Sequence, residues 1–161
     1  MPSWSQVLDA APELARDVQA RFDAHGLGLL ATLRRDGSPR LSGIEPLFAN
    51  GELWLGMMEN SRKAADLMRD PRFALHSATT DKQVAEGDAK LAGRAVLVTD
   101  KETFARYLQT FPQDTGGELP PEPFPLFRAD VSEISWLRPA GDHLDIRWWR
   151  AGGEVVSVER R

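Results

Sequence analysis

The chain has 161 residues and a mass of 17.9 kDa, which fits a single domain over 1–161. Its 42% hydrophobic and 27% charged residues exclude a disordered or membrane-spanning composition, and 20 Lys and Arg against 24 Asp and Glu give no general attraction to nucleic acid or anionic membrane. Cysteine is absent, which excludes disulfides, thiolate metal centres and cysteine nucleophiles, and three scattered histidines (25, 76 and 143) leave no metal site expected.

The opening stretch, MPSWSQVLDAAPELARDVQARF, lacks a basic head and a continuous apolar core, so no signal peptide is expected. No segment approaches the roughly 18 apolar residues of a spanning helix, and a soluble cytoplasmic protein is the expectation. Val7, Leu8, Ala11, Leu14, Ala15, Val18 and Phe22 recur at helical spacing and predict one amphipathic helix over about 3–24, capped by Ser3 or Ser5 and stopped at Gly26. The period then changes. Gly28–Leu33, Leu41–Phe48 and Glu52–Met57 predict three strands, joined by an Asp36-Gly37-Ser38-Pro39 turn and an Asn50-Gly51 turn.

Ser61 caps a short helix to Arg69 with Ala64, Leu67 and Met68 as its apolar stripe, and Asp70-Pro71 closes it. Strands are predicted at Arg72–Ser77 and about Asp88–Val98, then a helix to about Thr110 capped by Asp100 or Thr99. The stretch FPQDTGGELPPEPFP holds five of the eleven prolines and is predicted to be a loop or lid. Final strands are predicted at Leu126–Leu137, Leu144–Arg150 and Glu154–Glu159. The sum is a mainly β fold of six to eight antiparallel strands with peripheral helices, best satisfied by a small closed or split barrel that removes sheet edges.

Candidate chemistry concentrates at Ser61-Arg62-Lys63. A serine cap leaves the N–H groups of the first turn available, a natural seat for an anion. Two cations there oppose the helix dipole, a conflict that a bound phosphate would resolve. The alternative is an ordinary solvated first turn. Alternation puts Arg40, Ser42 and Ile44 on one strand face, with Arg40 in reach of such an anion, and Leu41, Gly43 and Glu45 on the other. Glu45, inside an otherwise apolar strand, needs a partner, water or a ligand. His76 is the one side chain offered as a proton donor, against the alternative of a structural hydrogen-bonder. Trp148 and Trp149, flanked by Arg147 and Arg150, point to opposite faces, so only one indole can fill a given pocket.

The segment Leu29–Ser77, LLATLRRDGSPRLSGIEPLFANGELWLGMMENSRKAADLMRDPRFALHS, resembles the pyridoxamine-phosphate-oxidase-like family of flavin-binding split barrels. Its pattern is strand, DGxPR turn, strand, NG turn, strand, then S-R-K-x-x-x-L and D-P-R. Downstream, LAGRAVLVTD, LFRADVSEISWL and the last hairpin resemble the actinobacterial branch of that family. The resemblance implies a homodimer with flavin at its two-fold interface, with Arg40, Ser61, Arg62 and Lys63 on the cofactor phosphate. It also implies ring-edge contacts near Ile44–Leu47 and a covering Trp148 or Trp149. A strand lysine that assists the phosphate in the oxidase proper matches Glu45 here, which counts against true pyridoxamine phosphate oxidase activity. FMN is the expected cofactor, with the deazaflavin F420 as rival. The expected activity is flavin-dependent oxidoreduction of an unassigned small molecule, with a flavin carrier or a haem-binding relative as other outcomes.

Overall fold

The computed structural model describes residues 1–111 and 119–161. Much of the proline-rich stretch predicted as a loop or lid therefore lies outside the described residues.

Two helices replace the single N-terminal helix predicted. Helix α1 spans Trp4–Ala10 and α2 spans Pro12–Asp23. Ser3 caps α1 in a reciprocal capping box with Gln6. The break falls at Ala11, with φ −141° and ψ 62°, because the residue before a proline is pushed out of the helical region while Pro12 itself suits the first turn of α2. Both helices keep one apolar face: Trp4, Val7, Leu14, Val18 and Phe22 are all buried. Burying a side chain of that size contributes about 1.5–3 kcal/mol each, so this face fastens the helical pair to the sheet.

Nine strands follow among the described residues: β1 Gly28–Leu33, β2 Pro39–Ile44, β3 Leu47–Ala49, β4 Glu52–Gly56, β5 Arg72–Ser77, β6 Asp88–Leu97, β7 Leu126–Ala140, β8 His143–Arg150 and β9 Val156–Arg160. The strand predicted over Leu41–Phe48 is two strands, since Pro46 has no N–H for a ladder and Glu45-Pro46 interrupts the pairing. That split raises the count to nine. Helix α3 spans Arg62–Arg69, capped by Ser61, and α4 spans Lys101–Thr110, capped by Asp100.

All pairings are antiparallel, in the order β2-β1-β5-β6-β7-β4-β3, with β8 on β7 and β9 on β8. Strand β7 explains the split. One edge pairs with β6 over Phe127–Leu137, while the other serves β4 at Leu126–Arg128 and β8 at Glu133–Ala140. The sheet thus curls around Leu30, Leu53, Leu55, Leu75, Leu91, Phe127 and Ile134, all nearly inaccessible, in the mainly β, split-barrel arrangement expected. A bulge at Ala92/Gly93 bends β6. At Gly93 a Cβ would stand 1.9 Å from the Asp130 carbonyl oxygen, so only glycine fits. A second apolar cluster, Trp54, Tyr107, Phe124 and Leu126, holds α4 against the outside of β4 and β7.

No described helix is long and apolar enough to cross a membrane.

Candidate functional site

A cavity of about 350 Å³ opens where β2 and β4 both end, beneath α4. Gly43, Ile44 and Glu45 form one wall, Gly56, Met57 and Met58 the other, with Lys63 and Tyr107 supplying polar atoms. Lys63 reaches in from the first turn of α3, and its Nζ donates to the Gly43 carbonyl at 3.0 Å. Burial alone pushes the lysine pKa below its ordinary value, and no carboxylate lies within ion-pair distance of its ammonium among the described residues. A desolvated cation lined up on one carbonyl is the arrangement that a ligand anion would relieve.

Tyr107, the chain's one tyrosine, is 3% exposed. Burial, with the Glu45 carboxylate nearby, pushes its phenol up to about 12, so it enters the cavity as a neutral hydrogen-bond donor. Gly56 makes room for it: a Cβ there would stand 2.9 Å from the tyrosine hydroxyl.

The structure distributes the sequence-predicted residues unevenly. Ile44 and Lys63 share the cavity. Ser61 accepts from the Ala64 N–H at 3.3 Å and faces a separate hollow between α3 and Pro123-Phe124-Pro125. Arg62 is exposed on the first turn of α3. Arg40, Ser42 and Ile44 do share the inward face of β2, but Arg40 is engaged elsewhere: its Nε donates to Asp66 at 2.7 Å. Asp66 also accepts from Thr32 at 2.8 Å and from Arg69 at 3.1 Å, and is 3% exposed. Desolvation raises the Asp66 pKa, yet the three donors outweigh it and hold the carboxyl below its usual range.

Glu45 is not buried within a strand; it sits exposed just after β2, at the cavity rim, so the partner that its predicted burial demanded is not required. Met68 leaves the predicted stripe of α3 and is 56% exposed, its place in the buried set taken by Asp66. His76 does not line the cavity. Its Nδ1 lies 2.6 Å from the Ser77 carbonyl and its Nε2 4.0 Å from Asp88.

The two tryptophans separate as alternation requires. Trp149 is 2% exposed, in the core, and its indole N–H donates to the Gly153 carbonyl at 3.1 Å, so the barrel consumes it. Trp148 lines a second cavity of about 330 Å³ on the outer face of β5–β8, with Ala74, Lys90, Ala92 and Ile146. No described residue lines both cavities.

Three residues escaped the sequence reading. Asp66 carries an acidic side chain inside an amphipathic helix, and the paired positions of Thr32 and Arg40 on β1 and β2 supply two of its three donors. Tyr107 lies in a helix legible in sequence by its cap and its end, and Gly56 carries no local turn signal. The rarity of tyrosine was the one available hint.

A family model described as pyridoxamine 5'-phosphate oxidase matches residues 14–136, and the chain belongs to that family. No curated protein sequence matches the chain. Among solved structures, PhzG from Burkholderia lata 383, crystallised with tetrahydrophenazine-1-carboxylic acid, is 16% identical with a TM-score of 0.67, covering 99% of this chain and 93% of that one. Campylobacter jejuni ChuZ is 17% identical at TM-score 0.71, covering 91% of this chain and 63% of its own. A pyridoxamine 5'-phosphate oxidase-related, FMN binding protein from Nostoc punctiforme PCC 73102 is 16% identical at TM-score 0.61, covering 94% and 96%. At these identities the likeness is one of fold.

Proposed function

We propose that the protein is a flavin-dependent oxidoreductase that binds FMN as a homodimer and acts on a small molecule. The observation that carries this is the cavity joining the ends of β2 and β4 to the half-buried Lys63. The first-turn N–H groups of α3 lie next to Lys63, so an anion can take a charge-assisted bond and backbone donors together. Arg62 adds charge from solvent, Ser61 holds the turn in shape, and Arg40 steadies α3 through Asp66. Ile44, with Gly43 and Glu45, forms the β2 wall that would face the ring edge, and Ser42 stands outside that lining.

When bound, the flavin supplies hydride or electron transfer through its ring nitrogen. The chain's own task is to seat the phosphate, exclude water with Ile44, Met57 and Met58, and present the neutral Tyr107 hydroxyl to substrate oxygen. Glu45 at the rim gives the entrance a negative charge and favours substrates without an anionic group on that side.

Support for a second copy comes from the outer sheet face. Registered pairing lines up the apolar residues Leu41, Ala31, Ala74 and Ala92 across four strands; on β7 the row meets Glu133, and beyond it Trp148 and Val156 pair on β8 and β9. Leu41 is 71% exposed, a position that a partner subunit would cover. In this reading Trp148 is the residue that a partner would bring to the seam to close its cofactor cavity.

Replacing Lys63 with Ala tests the phosphate seat. FMN affinity should fall at least about tenfold while riboflavin, which lacks the phosphate, changes less than about twofold. Equal weakening of both would show that Lys63 supports the fold instead. F420 titrated in parallel separates the deazaflavin reading from FMN, and binding of flavin without turnover marks a carrier. Haem titrated alongside separates the haem-binding reading.

A further inference from the structure

The hairpin β8–β9 gathers a set of donors that the cofactor cavity does not use. His143 and Asp145, two residues apart, share one face of β8, and register sets Glu159 of β9 directly opposite Asp145. The Nε2 of His143 lies 3.1 Å from an Asp145 oxygen and 3.8 Å from a Glu159 oxygen, and one ligand atom from each of the three lies within 4.8 Å of the others. The other ring nitrogen, Nδ1, lies 3.1 Å from Asp142.

Two carboxylates facing each other across a strand pair repel, and a cation between them removes the conflict. Arginines nearby do not supply it. Arg147 is committed to Asp17 at 2.6 Å and lies over the Trp136 ring, which Arg138 also covers. His143 is the one basic group within ion-pair distance of Asp145 or Glu159 among the described residues. Donors sharing one zinc-sized ion at bond lengths near 2.0–2.2 Å stand roughly 2.9–3.5 Å apart, and only the exposed Glu159 side chain has to close in to reach that range.

We propose that His143, Asp145 and Glu159 form a binding site for a divalent first-row transition cation. Asp142 holds the imidazole from behind, fixing the proton on Nδ1 and leaving Nε2 to the ion, the usual carboxylate–histidine–metal relay. One imidazole with two carboxylates suits Zn²⁺, Ni²⁺ or Co²⁺ better than Mg²⁺ or Ca²⁺, which take oxygen alone. A hollow of about 430 Å³ beside Asp145 and Glu159 leaves the remaining positions to water. The site occupies the hairpin face opposite Trp148, clear of the proposed subunit contact.

Calorimetric titration of the full chain with Zn²⁺ tests it, with Co²⁺ absorbance as a second readout of the ligand field. One saturating ion per chain is expected. His143→Gln should weaken binding at least a hundredfold and abolish the Co²⁺ bands, and Asp142→Asn should weaken it about tenfold. His25→Gln and His76→Gln should leave both readouts intact. Non-saturating binding, binding unchanged in His143→Gln, or equal loss in His76→Gln would overturn the site and leave His143 as the centre of a surface ion network. Circular dichroism of each variant separates loss of ligands from loss of fold.

Discussion

Lys63 and Tyr107 set the character of the cavity, one by a charge that burial disfavours and the other by a proton that burial retains. Because the chain holds a single tyrosine, ultraviolet titration of phenolate reads Tyr107 directly. The expected midpoint is about 12. A raised folded pKa means that this contribution to stability is complete below the unfolded phenol's pKa of about 10 and is lost as pH rises through the folded one. A midpoint at the ordinary value would place the phenol in solvent, outside the cavity. Asp66 carries the opposite sign. Its depressed carboxyl pKa stabilises the fold above the unfolded value of about 4, and that contribution is lost as pH falls through the folded value. Replacing Asp66 with Ala strands the partly buried Arg40 and should cost about 3 kcal/mol in urea unfolding at neutral pH. A cost under about 0.5 kcal/mol would mean that Arg40 finds water without loss.

Between elements, the decisive features are the points where the chain breaks its own period. Gly93 lets β6 bulge against β7; Gly93→Ala forces a methyl onto the Asp130 carbonyl and should lower stability by at least about 2 kcal/mol. An unchanged urea midpoint would mean that β7 yields freely. Strands, turns and helix caps were legible because their signals are local: Ser3, Ser61 and Asp100 cap the helices as expected, and the Asn50-Gly51 turn joins β3 to β4. The two boundaries where the structure departs from the sequence expectation, Ala11-Pro12 and Glu45-Pro46, both fall at a proline, which breaks the helix at the first and the strand ladder at the second. Of the site, Lys63 and Ile44 were visible in sequence, whereas Asp66, Gly56 and Tyr107 act only across elements that pairing brings together. The two tryptophans show the same limit. Alternation separated them, but only the barrel's curvature decided that Trp149 faces in.

At the scale of the whole molecule, a chain without cysteine, with three histidines and one tyrosine, carries little chemistry of its own. In the proposed function a borrowed redox group and a second copy supply what the residues lack, the first at the cavity beside Lys63 and the second on the apolar row from Leu41 to Ala92. Sedimentation equilibrium of the chain mixed with FMN, followed at the flavin's visible band, joins both claims in one experiment. The account predicts a flavin chromophore sedimenting at twice 17.9 kDa with one FMN per chain. Chains that sediment free of both FMN and F420 at micromolar concentration would contradict it.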